Sequence, residues 1–277
     1  MKLLLLGAGG MLGHALAREL ADYDMVVGDL PDFDLTDFKN LNEKIRQIKP
    51  EVLINCAAYT DVDGCEQNAE AAERVNGEAL SNLAKICSEL DVILVHYSTD
   101  YVFDGGQEKG IEENHPPEPV NEYGRSKYLG EQRLAAGCDK YYLIRTSGLY
   151  GENGKNFVDA ILEAAQTKPE IKVVNDQFTA TAYTNDLAKA TREIIEQRPA
   201  FGIYHRTNGG SCSWYEFAQK IKELAGFKAE IIPVSSADYQ RPAQRPKFSK
   251  LINTKLKELR PWEQALKEYL SKKMIKL

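Results

Sequence analysis

Cysteine is scarce in this sequence, and its spacing forms no pattern. The 277 residues include only five cysteines, and none of them forms a Cys-x-x-Cys pair. An odd number without such pairs excludes a disulfide framework and a zinc site of paired thiolates. It is typical of reduced thiols in cytosolic proteins, so we expect a cytoplasmic location.

Long apolar runs are also missing. The run Leu3–Leu6 ends at a glycine cluster, which is too short for the apolar region of a signal peptide. No stretch reaches the roughly 18 apolar residues that a membrane-spanning helix needs, so we expect no membrane partner. Hydrophobic residues make up 43% and charged residues 27% of the chain, which excludes bulk disorder. The length predicts two domains, or one domain with a large added lobe.

The chain has no excess of basic residues. It contains 35 Lys and Arg against 41 Asp and Glu, a formal charge of −6, so we expect no nucleic-acid partner. The charge is uneven, because residues 240–277 hold 11 Lys and Arg against 3 Glu, a net of +8, and the rest carries −14. This basic segment is either the solvated face of a C-terminal helix or part of a site for an anionic ligand.

Short apolar segments alternate with segments of helical periodicity up to residue 147. This order predicts a parallel sheet with helices on both faces, and wholly apolar strands suit a sheet that is covered on both sides. We therefore predict an α/β protein with a Rossmann-type, doubly wound parallel sheet. The predicted strands are Leu3–Leu6, Met25–Val27, Val52–Ile54, Val92–Val95 and Tyr141–Ile144, and the predicted helices are Met11–Leu20, Phe38–Ile48, Ala69–Leu90 and Glu122–Ala136.

After residue 147 the alternation loosens. Helical periodicity continues, but the apolar runs between the helices shrink to two residues. We interpret this part as a smaller C-terminal substrate lobe. The predicted division is a dinucleotide-binding domain at 1–147, completed by parts of 173–206, and a substrate-binding lobe at 148–172 and 207–277. The predicted helices here are Asn156–Ala165, Asn185–Gln197, Ser213–Leu224 and Trp262–Lys272.

Three glycines lie between the first predicted strand and the first predicted helix. Gly7, Gly10 and Gly13 are spaced as Gly-x-x-Gly-x-x-Gly, with Met11 and Leu12 between the last two. Without Cβ atoms the chain can turn tightly, and its N–H groups can approach a pyrophosphate at the helix N-terminus. We predict a dinucleotide site formed by these five residues.

The second predicted strand is followed by Asp29, about 20 residues after the glycine turn. A carboxylate there can accept hydrogen bonds from the adenosine ribose and disfavours a 2′-phosphate. The alternative is that Asp29 has no cofactor role and simply caps the turn that follows. Asp34 and Leu35 are candidate adenine contacts. Residues 19–45 contain no arginine to clamp a 2′-phosphate, but Lys39 leaves that role open. The predicted cofactor is therefore NADPH or NADH.

A Tyr-x-x-x-Lys motif begins at Tyr123. On a helix Tyr123 and Lys127 share a face, and an ammonium beside a phenol is expected to lower the phenol pKa. Such a tyrosine can give a proton to a carbonyl oxygen. A second pair with this spacing, Tyr269 and Lys273, lies in the basic tail, and we interpret it as coincidental.

Hydroxyl and small residues follow two of the predicted strands. Thr99, or Ser98 beside it, follows the fourth strand, and in parallel sheets ligands bind at the carboxyl ends of strands. Either hydroxyl could hold a substrate carbonyl near Tyr123. Ala57 and Ala58 follow the third strand and leave room for a cofactor to cross that edge.

Together these motifs resemble the extended short-chain dehydrogenase/reductase family, in whose order they occur. The resemblance covers nearly the whole chain. Within that family, the sequence most resembles the dTDP-4-dehydrorhamnose reductases. The segments that carry this closer resemblance are Tyr97–Phe103, Asn121–Lys127, Arg145–Ser147, Asn156–Phe157, Asn175–Phe178 and Arg241–Pro246.

The resemblance implies a reaction and roles for individual residues. Hydride from NAD(P)H would reduce C4 of dTDP-4-dehydro-L-rhamnose to give dTDP-L-rhamnose, with a dTDP-linked sugar as partner and a possible homodimer. Tyr123 would donate the proton, and Lys127 would also bind the nicotinamide ribose. By resemblance the catalytic residues are Thr99, Tyr123 and Lys127, the further cofactor contacts are Ala57, Ala58 and Thr60, the supporting residue is Asn76, and the substrate contacts are Tyr101, Asn156 and Arg245.

The sequence departs from the family pattern at His14 and at residues 179–182. Some members bind Mg²⁺ through a glutamate just after the glycine turn, where this chain has His14, so we expect no metal. Residues 179–182 lack the usual glycine and proline, which predicts a loosened or redirected loop. Two other functions remain possible: an epimerase or dehydratase on another nucleotide sugar, and a non-catalytic regulatory subunit resembling the β-subunit of methionine adenosyltransferase.

Overall fold

The computed structural model describes residues 1–274, and its strands follow the predicted alternation closely in the first half. The strands are β1 (Lys2–Leu6), β2 (Asp24–Gly28), β3 (Val52–Asn55), β4 (Ile93–Thr99), β5 (Tyr141–Thr146), β6 (Leu149–Tyr150), β7 (Glu170–Val174), β8 (Phe178–Thr179), β9 (Ala182–Tyr183), β10 (Gly202–His205), β11 (Cys212–Ser213), β12 (Glu230–Val234) and β13 (Phe248–Ser249).

Helices separate the first five strands, whereas several strands of the second half follow one another without an α-helix between them. The helices are α1 (Met11–Glu19), α2 (Phe38–Ile48), α3 (Val62–Gln67), α4 (Ala69–Glu73), α5 (Ala79–Glu89), α6 (Glu122–Gly137), α7 (Phe157–Thr167), α8 (Thr184–Gln197), α9 (Trp214–Ala225) and α10 (Trp262–Met274).

Six strands form one parallel sheet, in the order β10-β5-β4-β3-β1-β2. The chain runs outward from β1 to β2, then returns past β1 to β3 and continues in the other direction. The carboxyl ends of β1 and β3 therefore lie at a topological switch point, where ligands bind in such sheets. The predicted Rossmann-type α/β fold is confirmed.

Each face of the sheet carries its own apolar core. Side chains alternate along a strand, so Leu3 and Leu5 of β1 pack on the face that α1 and α8 cover, whereas Leu4 and Leu6 pack against α2 and α5. All four leucines are fully buried, and each contributes roughly 1.5–3 kcal/mol to folding. A strand buried on both faces explains why its sequence is a continuous apolar run.

The C-terminal part packs around a separate apolar cluster. That cluster joins α7, α9 and α10 to a two-stranded parallel sheet of β7 and β12. The stretch 173–206 contributes to both parts, since β10 extends the main sheet beside β5 and α8 packs on α1. The exact domain boundaries stay a prediction.

The predicted helix Ala69–Leu90 is the largest departure within the first half. It is divided into α4, a π-helical turn at Arg74–Glu78, and α5. The short helix α3 and the two-residue strands were not predicted, because segments this short carry no periodicity. Within residues 1–274, no helix combines the length and the apolar character that crossing a bilayer requires.

Candidate active site

The glycine turn between β1 and α1 depends on two close backbone approaches. Gly7 has a φ of +79°, and a Cβ on it would lie 2.6 Å from the Ala57 nitrogen. A Cβ on Gly13 would lie 2.1 Å from the Gly7 oxygen. Helix α1 begins after Gly10, and no side chain caps it. Its first N–H groups therefore point toward the carboxyl edge of the sheet without a side-chain partner. This arrangement fits a dinucleotide pyrophosphate.

Asp29 connects the glycine turn to the end of β2. Its carboxylate accepts hydrogen bonds from the Gly9 N–H at 2.6 Å and from the Leu30 N–H at 2.8 Å. The carboxylate therefore braces the turn, and its exposed position also lets it accept ribose hydroxyls. Further along the loop, hydrogen bonds from the Thr36 N–H and hydroxyl lower the pKa of Asp34.

A cavity of about 650 Å³ opens at the carboxyl ends of β1, β3 and β4. The structure brings every predicted cofactor and catalytic residue to its walls, together with Tyr101. These wall residues are Gly7, Gly10, Met11, Leu12, Gly13, Asp29, Asp34, Leu35, Ala57, Ala58, Thr60, Thr99, Tyr101, Tyr123 and Lys127.

Helix α6 carries Tyr123 into this cavity. Its N-cap, Asn121, accepts the Gly124 N–H at 2.7 Å and donates to the Gln244 carbonyl at 2.7 Å. A Cβ on Gly124 would lie 2.1 Å from the Tyr101 oxygen, so only glycine lets the helix approach this closely. The Tyr101 and Tyr123 rings then meet edge to face, with centroids 5.9 Å apart.

The phenol of Tyr123 is held in its protonated form. Burial raises its pKa well above the ordinary value, and hydrogen bonding to Thr99 opposes that rise. The sequence predicted the opposite direction, on the assumption that Lys127 would face the phenol. In the structure the lysine amine instead binds strand β4, so burial dominates. A protonated phenol is the form that a proton donor requires.

Lys127 is buried, and its Nζ reaches two groups of β4. It donates to the Tyr97 carbonyl at 2.7 Å and lies 3.1 Å from Nε2 of His96. Burial lowers the pKa of Lys127 to about 8. The sequence motifs gave no indication that His96 belongs to the site. The packing of α6 on β4 brings Lys127 to His96, and the register of β3 and β4 places His96 beside Asn55.

The π-helical turn places Asn76 between two segments of the site. Its amide accepts the Tyr59 N–H at 2.9 Å and donates to the Tyr59 carbonyl at 3.0 Å and to Ser126 Oγ at 2.9 Å. Ser126 in turn donates to the Tyr123 carbonyl at 2.8 Å. Asn76 thus fixes the backbone on both sides of the cavity, and the supporting role that the resemblance implies stays a prediction.

The hydroxyls of Thr99 and Ser147, which line the same cavity as Tyr123, belong to a buried polar cluster. Asp100 is buried, its pKa is raised to about 6 by burial, and it accepts hydrogen bonds from Ser249, Ser147 and Thr99. The Ser147 hydroxyl also lies 2.6 Å from that of Thr179, at the start of the loop that departs from the family pattern. The first residue of that loop, Thr179, belongs to β8 and pairs with β11 and β13, and the loosened or redirected course of the loop stays a prediction.

A second cavity of about 1270 Å³ adjoins the first and shares Tyr101, Gln177 and Trp214 with it. Its walls include three cations, Arg241, Arg245 and Lys247, from the loop that contains Pro242 and Pro246, which we call the Pro-rich loop. Part of the positive charge of residues 240–277 therefore lines a cavity. The loop faces a cavity, whereas Lys272 of α10 lies in an exposed helical ion pair with Glu268.

Arg245 is held in place from the other half of the molecule. Its guanidinium makes a bidentate ion pair with Asp63 of α3, at 2.5 and 2.9 Å, and the carboxylate also accepts the Ala243 N–H. The pairing lowers the pKa of Asp63 to about 2.

Asn156, the third predicted substrate contact, lies outside the walls of both cavities. Its side chain caps α7 by accepting the Asp159 N–H at 3.0 Å, and its amide donates to the Gly151 carbonyl at 3.0 Å. An asparagine directly before a helical segment is a common N-cap, and the sequence carried that signal. Among residues 1–274 the structure contains no group of three or more acidic, His or Cys side chains placed to hold a metal ion.

Comparisons with known proteins identify the family of this chain. The family model described as RmlD substrate binding domain matches residues 1–275. The spore coat polysaccharide biosynthesis protein SpsK of Bacillus subtilis is 37% identical and covers 98% of each chain. The dTDP-4-dehydrorhamnose reductase of Burkholderia thailandensis is 38% identical, over 93% of this chain and 92% of its own.

A solved structure extends the agreement to three dimensions. The dTDP-4-dehydrorhamnose reductase of Bacillus anthracis, in complex with NADP, superimposes with a TM-score of 0.95 at 36% identity, over 98% of this chain and 99% of its own. The resemblance predicted from the sequence is confirmed, and the chain belongs to the RmlD substrate-binding-domain family.

Proposed function

We propose that this chain reduces the C4 keto group of dTDP-4-dehydro-L-rhamnose to dTDP-L-rhamnose with NADPH or NADH. The observation that carries the proposal is the junction of the two cavities. The glycine turn lines one cavity, the arginines of the Pro-rich loop line the other, and Tyr101 belongs to both. The relatives named dTDP-4-dehydrorhamnose reductase act on the same sugar, and the enzyme from Bacillus anthracis binds NADP.

The residues of the first cavity fit a nicotinamide dinucleotide. When bound, that cofactor supplies a hydride to the carbonyl carbon. Gly7, Gly10 and Gly13 give it a close backbone approach, and the N–H groups of α1 would hold its pyrophosphate. Ala57 and Ala58 keep the edge above β3 free of bulky side chains.

The side chains at the junction can position the keto group and protonate it. Thr99 orients the carbonyl oxygen toward Tyr123, whose buried phenol carries the proton that the new hydroxyl needs. The phenolate left behind is stabilised by the charge of Lys127, which lies one helical turn away and lines the same cavity, although its amine is hydrogen-bonded to β4.

Asp29 makes a testable contribution to cofactor choice. In the Asp29→Ala variant, NADH binding should weaken roughly 10-fold, because a charge-assisted hydrogen bond to the ribose is lost, whereas NADPH binding should change less or improve. Fluorescence titration of both cofactors measures this. Equal weakening of the two would mean that Asp29 only braces the turn through Gly9.

Arg245 is the expected contact for the anionic part of the substrate. In the Arg245→Met variant, KM for the dTDP-sugar should rise roughly 10- to 100-fold while KM for NADPH stays nearly constant, because a charged hydrogen bond to phosphate is lost. Lys267→Met, an exposed change in α10, is the matched control and should alter neither constant. A parallel rise in both KM values in Arg245→Met would assign the arginine to overall stability.

One assay separates the proposed reaction from the alternatives. The protein is incubated with NADPH and dTDP-4-dehydro-L-rhamnose, with a UDP-linked keto sugar in parallel, and both cofactor absorbance and sugar products are followed. Stoichiometric NADPH oxidation with formation of dTDP-L-rhamnose is expected. Sugar conversion without net oxidation would indicate an epimerase or dehydratase, and absence of turnover with a stoichiometric bound protein partner would indicate a regulatory subunit. A homodimer and a cytoplasmic location stay predictions.

A further inference from the structure

A chain of three buried polar side chains runs beneath the proposed proton donor. Asn55 at the end of β3, His96 of β4 and Lys127 of α6 are each at most 2% exposed. The Asn55 amide nitrogen lies 3.1 Å from His96 Nδ1, and His96 Nε2 lies 3.1 Å from Lys127 Nζ.

The backbone determines which way this chain of hydrogen bonds runs. The N–H of Ala57 can only donate, and it points at the Asn55 side-chain oxygen at 3.1 Å. The Asn55 amide nitrogen, which can only donate, therefore faces His96 Nδ1. Nδ1 must accept, so the ring proton of the neutral imidazole lies on Nε2.

Nε2–H then faces the lysine. An ammonium has three N–H donors and no acceptor, so Nε2–H and an ammonium at 3.1 Å would present two donors to each other. A free amine removes the conflict, because its lone pair accepts Nε2–H while one of its own N–H groups still donates to the Tyr97 carbonyl.

We propose that His96 is a positioning residue whose Nε2–H, placed there by Asn55, favours the free-amine form of Lys127. The proposal rests on the proposed function for its consequence. Lys127 must carry a proton to stabilise the phenolate that Tyr123 becomes, so the His96 tautomer determines the pH above which reduction slows.

The groups around Lys127 act in opposite directions on its protonation, so one hydrogen bond can shift the balance between ammonium and free amine. Burial lowers the pKa of Lys127, and the Glu131 carboxylate one turn along α6 raises it. Glu131 is itself paired with Arg145 of β5, which weakens its influence. Burial keeps the nearby Cys56 thiol and the Tyr97 phenol neutral by raising the pKa of both. Burial and Lys127 together also lower the pKa of His96, so its ring stays neutral.

The tautomer can be observed directly in the cofactor-free protein. Histidine labelled with ¹⁵N is incorporated, long-range ¹H–¹⁵N spectra are recorded, and the signals of His96 among the four histidines are assigned by their loss in His96→Gln. We expect a protonated Nε2 and an unprotonated Nδ1 at neutral pH. The opposite tautomer, or a ring protonated on both nitrogens, would overturn the proposal whether or not the protein turns over the proposed substrate.

Two variants test the consequence for the reaction. His96→Gln can present an amide oxygen to the ammonium, and Asn55→Asp reverses the tautomer, because its carboxylate accepts a hydrogen bond from Nδ1–H. In both, the fall in kcat on the alkaline side should move to higher pH by roughly one unit, the size of one charge-assisted hydrogen bond. NMR titration of the Lys127 side chain should show the same shift without substrate.

His205→Gln is the matched control, since it changes a buried histidine of β10 whose Nδ1 lies 3.1 Å from the Ile252 carbonyl. In this control the alkaline fall in kcat should occur at the same pH as in the wild type. If His96 had only a structural role, its variants would lower kcat equally at every pH and leave the pH of the alkaline fall unchanged. If neither the alkaline fall in kcat nor the Lys127 titration moves in the His96 and Asn55 variants, the proposal is contradicted.

Discussion

Replacing Tyr123 by phenylalanine should lower kcat for reduction roughly 100- to 10,000-fold, the usual contribution of a positioned general acid. The variant keeps the ring, and with it the edge-to-face contact with Tyr101 at 5.9 Å, but removes the hydroxyl that carries the proton. Cofactor affinity should stay within about twofold, because the glycine turn and Asp29 are untouched. Stopped-flow measurement of NADPH oxidation, with fluorescence titration of NADPH, gives both quantities.

The chain provides a matched control for this change. Tyr269 begins the second Tyr-x-x-x-Lys pair, but its hydroxyl donates to Asp159 at 2.8 Å inside the C-terminal apolar cluster. Tyr269→Phe removes the same atom from the same spacing, so it should cost stability and leave kcat nearly unchanged. Near wild-type turnover in Tyr123→Phe would exclude this tyrosine as the proton donor.

The Arg145→Met variant should lose about 3–5 kcal/mol of its free energy of unfolding. Arg145 of β5 makes a bidentate ion pair with Glu131 of α6, at 3.0 and 2.6 Å, with side chains only 2% and 4% exposed. Removing one partner leaves a buried carboxylate without its counter-charge. Urea unfolding followed by circular dichroism measures the loss, and the slope with urea should be unchanged.

Two further variants show whether burial is the cause. Arg46→Met breaks an ion pair with Glu89 that is about half exposed, so it should cost less than about 1 kcal/mol. The double variant Arg145→Met, Glu131→Leu removes both charges and should recover much of the lost stability. If the double variant is as unstable as the single one, the cost comes from packing against Phe103 rather than from the unpaired charge.

Local sequence signals predicted that the glycine turn and Asp29 meet at one edge of the sheet. The turn at Gly7, Gly10 and Gly13 and the carboxylate of Asp29 are spaced along one strand-turn-helix-strand unit, so their meeting follows from local geometry. Tyr123 and Thr99 were predictable for a similar reason, since one lies on a helix that returns to the sheet and the other ends a strand.

Contacts that depend on how elements distant in sequence pack together were not predictable. The register of β3 and β4 places Asn55 beside His96, and the packing of α6 on β4 brings Lys127 to His96, neither of which one sequence specifies. The direction of the Tyr123 pKa was mistaken because the spacing shows only that the lysine lies one turn away, not that its amine binds β4. Asn156 was assigned to substrate by resemblance, whereas its position before α7 already indicated a cap.

The position of β10 has a consequence for synthesis of the chain on the ribosome. β5, with its buried Tyr142 and Ile144, is complete at residue 146, but its outer neighbour β10 begins only at residue 202. Until that later segment emerges, β5 is an unpaired apolar edge, the kind of edge that recruits strands from other chains. A nascent or truncated product that stops before residue 202 should therefore aggregate.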